Sequence, residues 1–347
     1  MSHKKSFGEL FDEITSESGI GTESVRAAFD GILAGEWTPV QIAGFVVALR
    51  SAGESATTIR AAAEAMRAAM IPVEHDFPKL LDTCGTGGDG SGTVNLSTGA
   101  AIIAAGCGVV VAKHGNRAVS SKAGSADVLE ALGIPTDLPP AEVMPLLKEA
   151  GIAFMIAPSH HPCMRHAGPA RKELGIRTIF NCLGPLANPA RATHHLLGAY
   201  ADHLRPVLAE TLKGLGTERA WVVRGQDGLD ELSPYGPTHV SELADGKIRE
   251  FTIGPEEFGL PLSPAQAAVG GDAEQNAQIM RALFAGKDIP SRNAFVLNAA
   301  AALVVSDSMT PTAATQRVVQ CLDSGDAAGK LESWRSAATK RSSSTSS

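Results

Sequence analysis

The sequence predicts an α/β protein in which a small N-terminal helical bundle packs on a larger α/β domain with a mainly parallel central sheet. Three observations lead there. The first seventy residues hold apolar residues at helical spacing with no strand-like run between them. From Leu80 the texture changes to alternating β-branched runs and helical segments. Two glycine-dense loops fall where strands end, which is where open α/β sheets bind ligands.

Taken in order, Phe7, Leu10, Phe11 and Ile14 define a first helix, and Val25, Phe29, Ile32 and Leu33 a second. Thr38-Pro39-Val40-Gln41 is a helix start: a hydroxyl cap, proline at the first helical position and glutamine three after the cap. That helix carries Ile42, Phe45, Val46 and Leu49 and stops near Gly53; a fourth runs from about Ser55 to Met70. Alanine-rich outer faces on this bundle offer a docking surface to a second copy. Pro72 and Pro78 bracket a linker. Leu80–Thr83 reads as a strand entering the first glycine loop, Ser97–Ala105 as a helix, and Val109–Ala112 as a buried parallel strand delivering the second loop. Ser125–Leu132 and Ala141–Ala150 follow as helices, Ala153–Ile156 and Trp221–Arg224 as strands, with late strands around 246–253 and a long alanine-rich helix over Asn293–Val305. The expected domains are 1–72, joined by helices from about 160–190, and 73–335. The serine-rich end, 336–347, is expected to be a mobile tail.

Composition narrows the function. The 347 residues are 44% hydrophobic and 19% charged, with a formal net charge of −7. An extended basic face for nucleic acid is not expected on such a chain, nor is a membrane span, since no apolar run reaches the needed length. The odd count of five cysteines, with no CxxC pair, points to free thiols in a reducing cytoplasm.

The chemistry concentrates between Asp82 and Asp127. The first loop, Gly85-Thr-Gly-Gly-Asp-Gly90 through Thr93, has neither the Walker lysine nor dinucleotide spacing. With Asn95-Leu96-Ser97-Thr98 beside it, it suits phosphate and metal contacts. Cys84 reads as a small packing residue and not a nucleophile. The second loop, Lys113 through Ser125, joins a point charge, the Arg117 fork and the hydroxyls of Ser120 and Ser121 to turns at Gly115 and Gly124. His114 is open to three roles: general base, ligand contact and structural histidine; contact without proton transfer is favoured. His160-His161 and His194-His195 lack partners at zinc spacing. Asp230-Glu231, in the loop after the Trp221 strand, suits Mg²⁺, a hard ion that accompanies substrate phosphates. Among Arg165, Arg171, Lys172 and Arg177, one arginine is expected to clamp a carboxylate and the other three to be surface charges.

With Asp82-Thr-Cys-Gly-Thr-Gly-Gly-Asp-Gly90, Asn95–Thr98, Lys113-His-Gly-Asn-Arg-Ala-Val-Ser-Ser121, Arg171–Asn181, Leu183–Pro189 and Gly228-Leu-Asp-Glu-Leu232 in place, the chain resembles the anthranilate phosphoribosyltransferase family from about Phe7 to Leu331. The resemblance implies the nucleoside phosphorylase/phosphoribosyltransferase type of fold, a homodimer through the helical domain and an active site in a hinged cleft. It implies transfer of a phosphoribosyl group from phosphoribosyl pyrophosphate to anthranilate in tryptophan biosynthesis, with Mg²⁺. Carried over by position, Gly85, Gly88, Asp89, Thr93, Asn95, Leu96, Ser97, Thr98, Lys113, His114, Gly115, Asn116, Arg117, Ala118, Val119, Ser120, Ser121 and Ser125 would line the phosphoribosyl pyrophosphate site. Gly85, His114, Asn116, Pro158, His161, Met164 and Arg171 would meet anthranilate, Arg171 through its carboxylate. Ser97, Asp230 and Glu231 would hold metal. No obligatory general base is implied; Lys113 and Arg117 would stabilise the transition state. Ala123 stands where the family commonly has serine, and Met164 at a variable channel position. Two alternatives share the architecture: a pyrimidine nucleoside phosphorylase and a non-catalytic nucleic-acid-binding relative.

Overall fold

The computed structural model describes residues 5–88, 90–118 and 122–345. Asp89, Val119, Ser120 and Ser121, all assigned above to the phosphoribosyl pyrophosphate site, lie outside the described residues.

Four helices open the chain: α1 (Phe7–Thr15), α2 (Thr22–Leu33), α3 (Pro39–Ala52) and α4 (Ala56–Ala69). The α3 start is the predicted one. The Thr38 hydroxyl accepts from Gln41 N at 3.3 Å, and Gln41 Oε1 accepts from Thr38 N at 3.0 Å, so two otherwise orphaned donors are satisfied.

The α/β part follows as β1 (Leu81–Gly85), α5 (Leu96–Gly106), β2 (Val111–Gly115), α6 (Ser125–Ala131), α7 (Pro140–Ala150), β3 (Ile152–Ile156), α8 (Ala157–His160), α9 (Gly168–Leu174), α10 (Ile179–Leu186), β4 (His194–Gly198), α11 (Leu204–Gly214), β5 (Arg219–Gly225), β6 (Thr238–Ala244), β7 (Lys247–Ile253), α12 (Ala273–Phe284), α13 (Arg292–Asp307), α14 (Pro311–Asp323) and α15 (Asp326–Thr345). The strands form one sheet in the order β3-β2-β1-β4-β5-β6-β7, parallel from β3 to β5 and antiparallel beyond. Both faces are covered, and β3 and β4 are therefore buried at every position. Alternate residues feed two cores. Leu196, Trp221 and Val223 join α5, α13 and α15, whereas Leu197, Ala220 and Val222 join α11, α10, α9 and the four N-terminal helices.

Small residues let these layers approach closely. Ala299–Ala302 of α13 are fully buried, and a Cβ on Gly99 of α5 would sit 2.3 Å from the Phe295 ring.

Three expectations need correction. The second strand starts at Val111, not Val109. Val109 N is spent on Ala104 O at 3.1 Å, closing α5 behind Gly108, whose φ is +91°. Lys113, His114 and Gly115 are consequently strand residues and not loop residues. The serine-rich end, expected to be a tail, is helical as far as Thr345, where α15 ends; residues 346 and 347 lie outside the described residues. Trp334, Ala337 and Ala338 are buried in the core, and Arg341 pairs with Glu142 (3.1 Å) and Glu149 of α7. The strand β4, unread in the sequence, opens on the two histidines at 194 and 195.

Candidate active site

The strand order reverses direction between β1 and β4, which opens a crevice at their carboxyl ends. Gly85 and Gly198 are paired there in register. Thr86 N donates to Gly198 O at 2.9 Å, and the Thr86 hydroxyl accepts from Tyr200 N at 2.8 Å, which fixes the start of the first loop. Gly87 and Gly88 then take φ of +70° and +74°, a conformation that side chains resist.

The carboxylate pair after β5 reaches this loop. Asp230 Oδ2 accepts from Gly87 N at 3.0 Å, and Glu231 Oε1 accepts from Ser97 N at 3.2 Å at the start of α5. Asn298 of α13 holds the carboxylates' loop from behind. It is fully buried and bonds both Leu232 N (3.0 Å) and Leu232 O (3.1 Å). Two carboxylates and the Ser97 hydroxyl make a hard-oxygen donor set that fits Mg²⁺. The packing is tight: a Cβ on Gly198 would lie 1.5 Å from Asp230 O. Gly198→Ala is therefore expected to displace this loop and abolish ligand binding while Gly329→Ala, in open space on α15 with ordinary helical backbone, leaves ligand binding intact. Calorimetric titration of the two variants checks the contrast.

Behind the loops lies a buried charge system. Lys113, 2% exposed, donates to Thr83 O and to Ser97 Oγ at 3.4 Å. Burial pulls its ammonium below the usual lysine range, with Asp82 opposing. Burial pushes the Asp82 carboxyl up to about 6 despite Lys113 and despite bonds from Asn188 Nδ2 (2.8 Å) and His114 N (3.1 Å). Cys84 is buried beside Asp82, and its thiol is pushed well up by burial, which suits a packing residue.

The second loop is tied to the first by Asn95. Its amide donates to Ala123 O at 3.2 Å and its Oδ1 accepts from Asn276 Nδ2 at 2.9 Å. Ala123, without a hydroxyl, thus contributes its carbonyl. Asp127 Oδ2 accepts from Ala118 N and Gly124 N, both at 2.8 Å, and Asn116 O accepts from the Ser125 hydroxyl at 3.3 Å. Arg117 departs from expectation. Its guanidinium pairs with Glu130 and Asp127 on α6, so this structure commits the charge to the outer wall.

An aromatic-sized wall stands on the helical side. His114 Nδ1 lies 3.0 Å from Gly184 O, while its Nε2 is buried with no partner among the described residues. The His161 ring sits 5.0 Å away, tilted by 54°. Burial, reinforced by the neighbouring imidazole, lowers His114 well below the usual range; burial takes His161 down to about 4. Both rings are neutral near pH 7. Pro158 lies in α8 just before His161, and the half-buried Met164 packs on the helical core. Arg171 of α9 stacks on Phe180 at 5.5 Å. Arg177, expected to be a surface charge, instead lies against the first loop: a Cβ on Gly88 would meet its Nη2 at 3.0 Å. Sequence reading also missed Asn276 and Asn298, single polar residues that carry no local motif, and gave Asn188, inside the Leu183–Pro189 motif, no role as the partner of Asp82.

A helical domain on a doubly covered sheet, with glycine loops and paired carboxylates at the topological switch, has the layout of an enzyme that binds a phosphorylated ligand at the strand ends. Family models agree: "Glycosyl transferase family, helical bundle domain" matches residues 10–70 and "Glycosyl transferase family, a/b domain" residues 77–328. Anthranilate phosphoribosyltransferase of Rhodopseudomonas palustris (strain BisB18) is 49% identical over 327 residues, 94% of this chain and 96% of its own. That of Rhodospirillum rubrum is 52% identical over 305 residues, 88% of each. Among solved structures, the Thermus thermophilus enzyme of the same name has a TM-score of 0.87 at 41% identity, covering 92% of this chain and 96% of that one. The Saccharomyces cerevisiae enzyme in complex with phosphoribosyl pyrophosphate and Mg has a TM-score of 0.88 at 27% identity, covering 96% of this chain and 98% of that one. The chain belongs to the anthranilate phosphoribosyltransferase family.

Proposed function

We propose that this chain transfers the phosphoribosyl group of phosphoribosyl pyrophosphate to the amine of anthranilate, releasing pyrophosphate, as a step of tryptophan biosynthesis. The observation that carries this reading is the meeting of Asp230 and Glu231 with the first glycine loop and the start of α5. Ser97, Asp230 and Glu231 would hold Mg²⁺, which supplies countercharge to the diphosphate. The loop N–H groups and the α5 N-terminus meet phosphate oxygens. Lys113, in a dry setting, places positive charge where the leaving group gains negative charge. The sugar carbon–oxygen bond breaks to release pyrophosphate, the carbon–nitrogen bond forms, and the nitrogen then gives up a proton. An aniline nitrogen is already uncharged near pH 7, so positioning does the work that a base would otherwise do. The neutral His114 and His161 rings suit a flat apolar ring, and Arg171 a carboxylate.

The expected result is a loss of anthranilate fluorescence that requires both phosphoribosyl pyrophosphate and Mg²⁺. Fluorescence that stays constant with all three present would sink the reading. Metal-dependent use of anthranilate also separates it from phosphorolysis of a pyrimidine nucleoside. A homodimer through the helical domain is part of the proposal, supported by Val40 (81% exposed) and Phe11 (42%) on α3 and α1. Free cysteines go with a cytoplasmic setting. Among the described residues, no single helix is long and apolar enough to cross a membrane.

A further inference from the structure

We infer that Arg177 is a diphosphate-binding residue that reaches the substrate from the helical side of the cleft, an inference that rests on the reaction proposed above. Arg177 sits in the short link between α9 and α10, just after Gly175 ends α9 in the left-handed conformation at φ +59°. Two contacts aim it. Its carbonyl accepts from the Arg50 guanidinium of α3, which anchors the link to the N-terminal helices. Its own guanidinium lies 4.3 Å over the Tyr200 ring, and Tyr200 N is bonded to the Thr86 hydroxyl of the first loop. The fork thereby rests on the loop that carries Gly87 and Gly88, with Nη2 3.0 Å from the place a Gly88 Cβ would occupy.

Among the described residues, no carboxylate pairs with this guanidinium, in contrast to Arg117, Arg205 and Arg281, each of which holds an acidic partner. A cation that is stacked, half-buried and without an acidic partner among the described residues, beside a glycine loop in the left-handed conformation, matches a multiply charged oxyanion. The planar fork takes two oxygens at once, which a diphosphate offers. The same link continues from α9, which carries Arg171, so occupation of the glycine loop and the position of Arg171 are joined through a short stretch of main chain.

The test uses the full chain and the variants Arg177→Gln and Arg177→Lys. Steady-state kinetics should show KM for phosphoribosyl pyrophosphate raised about tenfold or more in the Gln variant, with KM for anthranilate within about twofold of the parent. The Lys variant should recover part of the loss. Calorimetry with inorganic pyrophosphate, which needs no turnover, should show about tenfold weaker binding to the Gln variant than to the parent. That weakening supports the assignment even in a sample that fails to consume anthranilate, a failure that counts against the reaction alone. Equal pyrophosphate affinity in parent and Gln variant overturns it. So does a joint rise of both KM values with unchanged pyrophosphate binding, which would mark Arg177 as packing only.

Discussion

Replacing Asp230 by Asn together with Glu231 by Gln is expected to lower kcat/KM by more than about 100-fold, the scale seen when a preorganised electrostatic contact to a reacting group is removed. The argument is one of position. Both side chains end on main-chain N–H groups of the ligand loops, Gly87 and Ser97. Amide side chains keep the shape and can still accept those bonds through their oxygens, so the loops should hold. The charge that would gather a divalent cation is lost. Kinetics across a Mg²⁺ titration, with melting temperature followed in parallel, check this. A variant that melts like the parent yet works at parental rates would remove the carboxylates from the mechanism.

The second large effect is loss of stability in acid. His195 and His161 are buried, and burial lowers them to about 3 and about 4. In the unfolded chain each titrates near the ordinary 6.5. Between 6.5 and those values the unfolded state binds more protons than the native state, so stability falls as pH falls, by up to about 1.4 kcal/mol per unit for each group. Asp82 works the other way. Its carboxyl, raised to about 6, takes a proton in the native state before the unfolded one does, and so returns some stability below that pH. Two imidazoles against one carboxyl leave a net loss of about 3 kcal/mol from pH 6.5 to 4.5. His194, lowered to about 4 mainly by burial, adds in the same direction. Urea midpoints measured over this range should drop steadily, and His195→Gln should flatten the slope. A midpoint independent of pH would show that these rings are protonated in the native state or reached by water.

The contrast between what the sequence displays and what it hides is physical. The α3 cap at Thr38 and Gln41 and the glycine loops are local: their residues lie within a few positions of one another. The approach of Asp230 and Glu231 to Gly87 and Ser97 spans more than 130 residues, but the chemistry of a phosphate cradle beside an acidic doublet made it legible. Asn276 and Asn298 were not legible, because each is one polar residue whose partners come from distant elements; Asn188 stood in a motif, but its bond to Asp82 did not show. Gly198 escaped for the same reason: its lack of a side chain matters only because Asp230 O lies over it. Arg117 and Arg177 exchanged expected places. Loop membership suggested that the first faces the ligand, but Glu130 on α6 captures it, whereas the second is drawn onto Tyr200. His194-His195 hid a strand, since histidine at the centre of a doubly covered sheet is costly unless neutral and bonded, as His195 is to Ala192 O at 2.9 Å. The serine-rich end misled because its low apolar content says nothing of Trp334 and Arg341, which pin the helix from its other face.

Strands β4 and β5 lend opposite faces to the two cores, with α11 seated between the sheet and the first four helices. The N-terminal bundle therefore has no core of its own apart from the α/β part. A chimera that takes residues 10–70 from one relative must also inherit the matching faces of α9, α10, α11 and the alternate strand positions beneath them, or leave Leu197, Val222 and Leu208 against an ill-fitting neighbour. Substrate preference in such a protein would change through drift of single residues lining the cleft, not through exchange of whole halves.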